Sequence, residues 1–206
     1  MTAVRLIAGL GNPGPRYAST RHNVGANFVD ELARRFAISF TDERRFKGLV
    51  GRGDVLGHDL RLLIPTTYMN LSGEAVGSIS RFYKIQPQEI LVAYDEMAFE
   101  PGVILLRQGG GDNGHNGIRS VISGLGNQRD FLRLRIGVGH PGDHPEKRDQ
   151  VTDYLTGVRM PQTERSLVES ACHIDDAVLG LILDGELQRA MNKLHAPPAI
   201  AEEGED

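Results

Sequence analysis

Asn12 and His22 are the residues of this chain best placed to do chemistry together. They lie in one stretch, Gly9-Leu10-Gly11-Asn12-Pro13-Gly14-Pro15-Arg16-Tyr17-Ala18-Ser19-Thr20-Arg21-His22-Asn23-Val24-Gly25. An asparagine amide both donates and accepts hydrogen bonds. A histidine titrates near neutral pH without special help. The chain has no G-x-S-x-G elbow and no H-E-x-x-H. Its one cysteine, Cys172, sits in an apolar helical stretch and reads as structural. Water activated by His22 is then the natural nucleophile. Such a base gains from a carboxylate, and Asp95 at the end of an apolar run is the best candidate. The bland readings are a helix-cap or core histidine for His22 and a turn residue for Asp95.

The elements that must bring these residues together follow from the hydrophobic pattern. Val4 to Leu10 reads as a short buried strand entering a glycine turn. Val24, Phe28, Leu32 and Phe36 have helical spacing. Arg44 to Pro65, punctuated by Gly51, Gly53 and Gly57, reads as two strands of a hairpin. A helix is expected from about Leu71 to Phe82, a strand from Glu89 to Tyr94 and another from Gly102 to Arg107. A helix over His115 to Leu125 and a strand over Leu132 to Val138 follow. Val158 to Leu194 is mostly helical, with interruptions near Gly180 and Gly185.

This alternation points to a single-domain α/β fold, a mixed, mostly parallel twisted sheet with helices on both faces. The expected domain spans residues 1–195, and residues 196–206 read as a disordered acidic tail. Ligands of such sheets gather at the carboxyl ends of the strands. Asn12 follows one strand end and Asp95 ends another, so Asn12, His22 and Asp95 are expected to converge there.

Composition sets limits on these readings. Four of the 27 acids lie in the last five residues, so the rest of the chain balances its 23 bases. A neutral body leaves room for a local basic patch. With one cysteine, no disulfide forms within the chain and a reducing compartment fits. No apolar run nears the roughly 18 residues of a membrane span. The chain start lacks the pattern of a signal peptide. A cytoplasmic protein is expected.

Three further motifs are open to two readings. Gly9-Leu10-Gly11-Asn12-Pro13-Gly14 formally matches a dinucleotide fingerprint, which wants a helix opening at the third glycine. Here Pro13, Pro15 and a polar stretch intervene, so a nicotinamide-dependent oxidoreductase is the weaker reading. Asn70 and Asn116 each lie near an expected helix start, where capping alone explains them. With Asn12 they would also line a cleft that hydrogen-bonds ester or amide groups. His140 and His144 flank Pro141-Gly142-Asp143 at a spacing a metal accepts, although loop polarity is the simpler account. No metal or cofactor is expected.

The chain resembles the bacterial peptidyl-tRNA hydrolase family along nearly its whole length. The resemblance rests on Gly9–Gly14, Tyr17, Thr20-Arg21-His22-Asn23-Val24-Gly25 and Pro65-Thr66-Thr67-Tyr68-Met69-Asn70-Leu71-Ser72-Gly73. It continues with Tyr94-Asp95-Glu96, Gly109-Gly110-Gly111 through Gly114-His115-Asn116-Gly117, and Arg133-Leu134-Arg135-Ile136-Gly137-Val138-Gly139-His140-Pro141. It implies a monomeric enzyme, needing no protein partner, that cleaves the ester joining a peptide to the 3′ end of tRNA. The family's base falls on His22 and its supporting carboxylate on Asp95. The asparagine that separates N-blocked from free aminoacyl-tRNA falls on Asn12. Substrate contacts fall on Tyr17, Tyr68, Asn70 and Asn116, and the basic pair that clamps the tRNA 5′-phosphate on Arg107 and Arg135. The helical region after His140 resembles the family's lid and tRNA-contacting region. Ile64 departs from the pattern, standing where many relatives carry lysine. A non-catalytic RNA-binding relative is the competing reading.

Overall fold

Strand β1 (Leu6–Gly9) lies at the centre of a seven-stranded sheet, and every one of its residues is buried. The computed structural model describes residues 2–142 and 151–195, so His144 and the expected acidic tail lie outside the described residues. β2 (Thr41–Glu43), β3 (Gly48–Val55), β4 (His58–Pro65), β5 (Ile90–Glu96), β6 (Ile104–Gln108) and β7 (Leu132–Gly137) complete the sheet. Its order is β2-β3-β4-β1-β5-β7-β6. The four strands β4, β1, β5 and β7 are parallel neighbours, and the pairs β2–β3, β3–β4 and β6–β7 are antiparallel. All strands except β3 and β6 therefore run in one direction, the mixed, mostly parallel sheet that the pattern predicts.

The expected hairpin is β3 and β4, joined at Leu56-Gly57, where both residues have positive φ. Two left-handed residues match the twist of a two-residue hairpin turn. The short edge strand β2 is absent from the sequence reading, because its Thr41, Asp42 and Glu43 are polar and largely exposed.

Alternation along the central strands divides the core in two. Ile7, Leu62, Leu91 and Ala93 face one side, where α1 (Val24–Arg35), α4 (Gln162–Cys172), α5 (Asp176–Leu183) and α6 (Leu187–Leu194) pack. Leu6, Ala8, Leu63, Val92 and Tyr94 face the other, under α2 (Ser72–Tyr83) and α3 (Asn116–Gly124). Strands covered on both faces read as continuous apolar runs, as β5 does. Phe28 of α1 is fully buried, worth about 1.5–3 kcal/mol.

The C-terminal helical region breaks elsewhere than expected. Gly180 lies inside α5, and the first interruption falls at His173–Asp175 instead. Asp175 starts the new helix, its carboxylate accepting the N–H groups of Ala177 and Val178. Gly185, at positive φ, makes the second break as expected.

Two backbone contacts seat the helices. A β-carbon on Gly25 would overlap the Ala93 carbonyl, and one on Gly9 would overlap the Gly25 carbonyl. The amino end of α1 thus rests directly on the main chains of β1 and β5. On the opposite face a β-carbon on Gly73 of α2 would overlap the Ser120 carbonyl of α3, and one on Gly124 would overlap that of Gly73. The Gly73 N–H donates to the Ser120 hydroxyl at 2.9 Å, joining the two helices side by side.

Candidate active site

His22 lies in a 3-10 turn, Arg21–Asn23, that runs straight into α1. Asp95 is the penultimate residue of β5. Because α1 rests on β5, the two side chains meet. His22 Nδ1 lies 2.8 Å from Asp95 Oδ1, and both residues are buried. The carboxylate has a second partner, His115, whose Nε2 lies 3.0 Å from the same oxygen.

The hydrogen positions follow from the partners. His115 Nδ1 accepts the N–H of Ile118 at 3.2 Å, capping α3. Its proton is therefore on Nε2 and donates to Asp95. Asp95 can only accept when ionised, so His22 donates from Nδ1 and keeps Nε2 free of its own proton. One potential ligand atom from each of His22, Asp95 and His115 lies within 4.8 Å of the other two, close enough to suggest a metal. Two N–H groups converging on one oxygen, with the far nitrogen of His115 also engaged, are instead a hydrogen-bonded triad.

Electrostatics reinforce this. Burial is the strongest influence on His22 and lowers its pKa, but the Asp95 charge and hydrogen bond outweigh it and raise the value above 6.5. Burial alone would raise Asp95; the neighbouring His22 and His115 instead hold it well below the ordinary carboxylate range. Asp95 is thus a fixed anion under a histidine biased toward protonation. Burial pushes the Cys172 thiol up to about 12, which keeps it inert and fits its structural reading.

Asn12 is held by a residue that the sequence reading passed over. Asn23 Oδ1 accepts the Asn12 N–H at 2.9 Å, and Asn23 Nδ2 donates to the Asn12 carbonyl at 2.9 Å. The Asn12 side chain then points toward the loop after β4, where its Oδ1 accepts the Met69 N–H at 2.8 Å. That bond fixes the amide orientation and leaves Nδ2 as the outward donor. The only sequence signal for Asn23 was its place beside His22. The signal for His115 was its place at the start of an expected helix, where the structure makes it, and not Asn116, the cap.

His22, Asp95, His115 and Asn116 line a cavity of about 260 Å³ together with Met97, Val151, Thr152 and Leu155. Asn70 and Asn116 flank a second, more open groove between α2 and α3. Neither asparagine caps its helix: Asn70 lies within the 3-10 turn Met69–Leu71, and Asn116 is the first residue of α3. Tyr68 is 58% exposed beside that turn. Tyr17 closes the preceding loop through its main chain, accepting from Thr20 Oγ1 at 2.7 Å. The glycine fingerprint makes no dinucleotide cradle: α1 opens at Val24, and Gly9 and Gly11 crowd against Gly25 and Ala26.

The two arginines expected to act as a pair differ in state. Arg107 is exposed on the edge strand β6. Arg135 on β7 is bound to Glu96 Oε2 through Nε at 3.0 Å and Nη2 at 2.8 Å, and its guanidinium stacks over Phe99. Arg133, opposite Arg107, is buried and donates to the Gly110 and Gly111 carbonyls. It anchors the glycine loop that leads to His115. His140 is exposed, and its Nδ1 accepts the Gly142 N–H at 3.2 Å.

A buried histidine–carboxylate pair at the carboxyl edge of a doubly wound α/β sheet is an arrangement that enzymes use, and its relatives in sequence and structure place this chain among the hydrolases. The sequence profile of the peptidyl-tRNA hydrolase family matches residues 6–202. The chain belongs to that family. It is 50% identical to the peptidyl-tRNA hydrolase of Pseudomonas paraeruginosa, across 97% of this chain and 100% of that one. It is 48% identical to the Pectobacterium atrosepticum peptidyl-tRNA hydrolase, across 95% of this chain and 98% of the other. The crystal structure of peptidyl-tRNA hydrolase from Acinetobacter baumannii superposes with a TM-score of 0.88 at 43% identity, covering 95% of this chain and 96% of that one. No helix among the described residues is long and apolar enough to cross a membrane.

Proposed function

We propose that this enzyme hydrolyses the ester between a peptide, or an N-blocked aminoacyl group, and the 3′ end of tRNA, with His22 as general base. The observation that carries the reading is the 2.8 Å contact between His22 Nδ1 and Asp95, which turns His22 Nε2 into an acceptor beside the cavity. Nε2 takes a proton from water as the water oxygen attacks the ester carbonyl. Asp95 holds the tautomer and stabilises the imidazolium that forms. The Asn12 amide donates to the developing oxyanion, with Asn70 or Asn116 as second donor. Collapse of the tetrahedral intermediate breaks the ester C–O bond. The tRNA oxygen leaves with the proton held by His22, so the base is regenerated.

Tyr17 and Tyr68 contact the substrate, and Arg107 and Arg135 receive the tRNA 5′-phosphate. The reaction frees tRNA for further translation in the cytoplasm, with a monomer sufficient and no cofactor or protein partner. The test is incubation with N-acetyl-aminoacyl-tRNA and free aminoacyl-tRNA side by side. Selective release from the blocked substrate, abolished in His22→Ala, is the expected result. Turnover retained in His22→Ala removes the base from this mechanism.

A further inference from the structure

Arg21, the residue before His22, is 96% buried, its relative exposure being 4%. A buried guanidinium is costly unless its donors are engaged. Its Nη2 donates to Glu164 Oε2 of α4 at 2.6 Å, and its Nη1 reaches the Tyr154 carbonyl at 3.4 Å. Its carbon lies 3.9 Å from the centre of the Tyr154 ring, within cation–π range. Tyr154 belongs to a π-helical turn, Asp153–Gly157, flanked in the cavity wall by Val151 and Thr152. Leu155 and Thr156 of that turn line the same cavity as His22.

Three more contacts hold this roof. The Tyr154 hydroxyl donates to the Val138 carbonyl at 2.7 Å, just past the end of β7. Where the roof ends, the Met160 N–H donates to the Ser19 carbonyl at 3.1 Å, and Thr20 pairs with Arg159 as an isolated bridge. π-helical turns are rare and frequent at functional sites. This one is held by Ser19, Thr20 and Arg21, the three residues before His22, and by Val138 after β7.

We propose that Arg21 is a positioning residue: it clasps the 151–157 roof onto the turn that carries His22, and so sets the shape of the cavity that receives the acyl group of the substrate. This rests on the proposed ester hydrolysis, because it needs an acyl group in that cavity. Arg21 touches none of the reacting atoms. Its planar face packs on Tyr154 while its edge binds Glu164, a combination that a lysine does not reproduce. Val151, Leu155 and Met97 give the cavity an apolar side, so a bulky acyl side chain gains from the roof and a glycyl group does not.

The experiment compares kcat/KM for N-acetyl-phenylalanyl-tRNA and N-acetyl-glycyl-tRNA in the full chain. The ratio of the two is independent of the active fraction, so partial unfolding leaves it unchanged. Arg21→Gln, Arg21→Lys and Tyr154→Leu are each expected to lower the phenylalanyl/glycyl ratio at least about fivefold, within the range that apolar pockets discriminate. Amide exchange of residues 151–157 is expected to quicken in each, with β5 and α1 unchanged. A wild-type ratio in Arg21→Gln and Tyr154→Leu overturns the proposal. So does exchange that quickens in β5 and α1 together with the roof. Failure of the wild-type protein to hydrolyse either N-acetyl-aminoacyl-tRNA, by contrast, counts against the proposed function itself.

Discussion

Asn23 holds Asn12 by a pair of reciprocal hydrogen bonds, each 2.9 Å long, between its side-chain amide and the Asn12 main chain. One amide thereby does what a neighbouring strand would do, in a loop that has no such neighbour. It also ties the proposed oxyanion donor to the residue next to the proposed base. Asn23→Asp is expected to be worse than Asn23→Ala, since a carboxylate would face the Asn12 carbonyl with no proton to offer. Both variants should lose kcat/KM by about 10–100-fold. Binding of uncharged tRNA should stay near wild type in both, measured by filter retention.

The rate should rise with pH through an inflection above 6.5, because the Asp95 charge and hydrogen bond outweigh the burial of His22. In Asp95→Asn that charge is gone and burial prevails, so the inflection should fall below 6.5. Turnover at the plateau should drop by about 10²–10⁴-fold. A pH profile of kcat/KM for both proteins, with chemistry shown to be limiting, checks this.

The same pair makes stability depend on pH in a defined sense. The folded-state pKa of Asp95 is depressed, so its contribution is present above the unfolded value of about 3.9 and is lost as pH falls through the folded value. The folded-state pKa of His22 is raised, so its contribution is present below about 6.5 and is lost as pH rises through the folded value. The stability gap between wild type and Asp95→Asn should therefore narrow as pH drops below about 4. Urea unfolding at a series of pH values measures it.

His115 shares Asp95 with His22, and each N–H that the carboxylate accepts draws on the same negative charge. His115→Ala removes one donor and leaves His22 with the whole of it. The inflection of kcat/KM should then move to higher pH than in wild type. The amino end of α3 should also lose its cap, at about 1 kcal/mol. A pH profile and a thermal melt separate the two effects.

Arg107 and Arg135 should not respond alike to salt. Arg107 is exposed, whereas Arg135 is already bound to Glu96 by two hydrogen bonds. Arg107→Gln should reduce the slope of log affinity against log salt by about 0.7–0.9, one phosphate contact. Arg135→Gln should change the slope less, and Glu96→Gln should raise affinity by releasing Arg135. Titrations of tRNA at several salt concentrations decide it.

Much of this architecture was legible because the signals were local. The apolar run over Ile90–Tyr94 and the helical spacing of Val24, Phe28 and Leu32 are set by burial, and burial is written in residue type. The meeting of His22 with Asp95 was legible because strand ends fall on one edge of the sheet. His115 was not, since a histidine before a helix looks the same whether or not a buried carboxylate waits across the fold. The pairing of Arg135 with Glu96 was hidden for a similar reason: the two residues are far apart in sequence and meet only through β5–β7 register. Arg21 stands in a motif of the sequence, but its burial depends on a segment more than a hundred residues away. Gly180 misled because a glycine reads as a helix breaker, while Asp175 supplied the stronger start signal a few residues earlier.

The seat of α1 on β1 and β5 has a thermal consequence. Gly9, Gly25 and Ala93 meet main chain to main chain, with no side chain between them whose rotamers could shift on warming. Close-packed contacts of this kind have low compressibility and transmit strain rather than absorb it. The reach from His22 to Asp95 is therefore expected to hold over the working range of temperature. An Arrhenius plot of the chemical step should stay straight up to the melting transition and break there, and a β-carbon at Gly25 should bring that break to lower temperature.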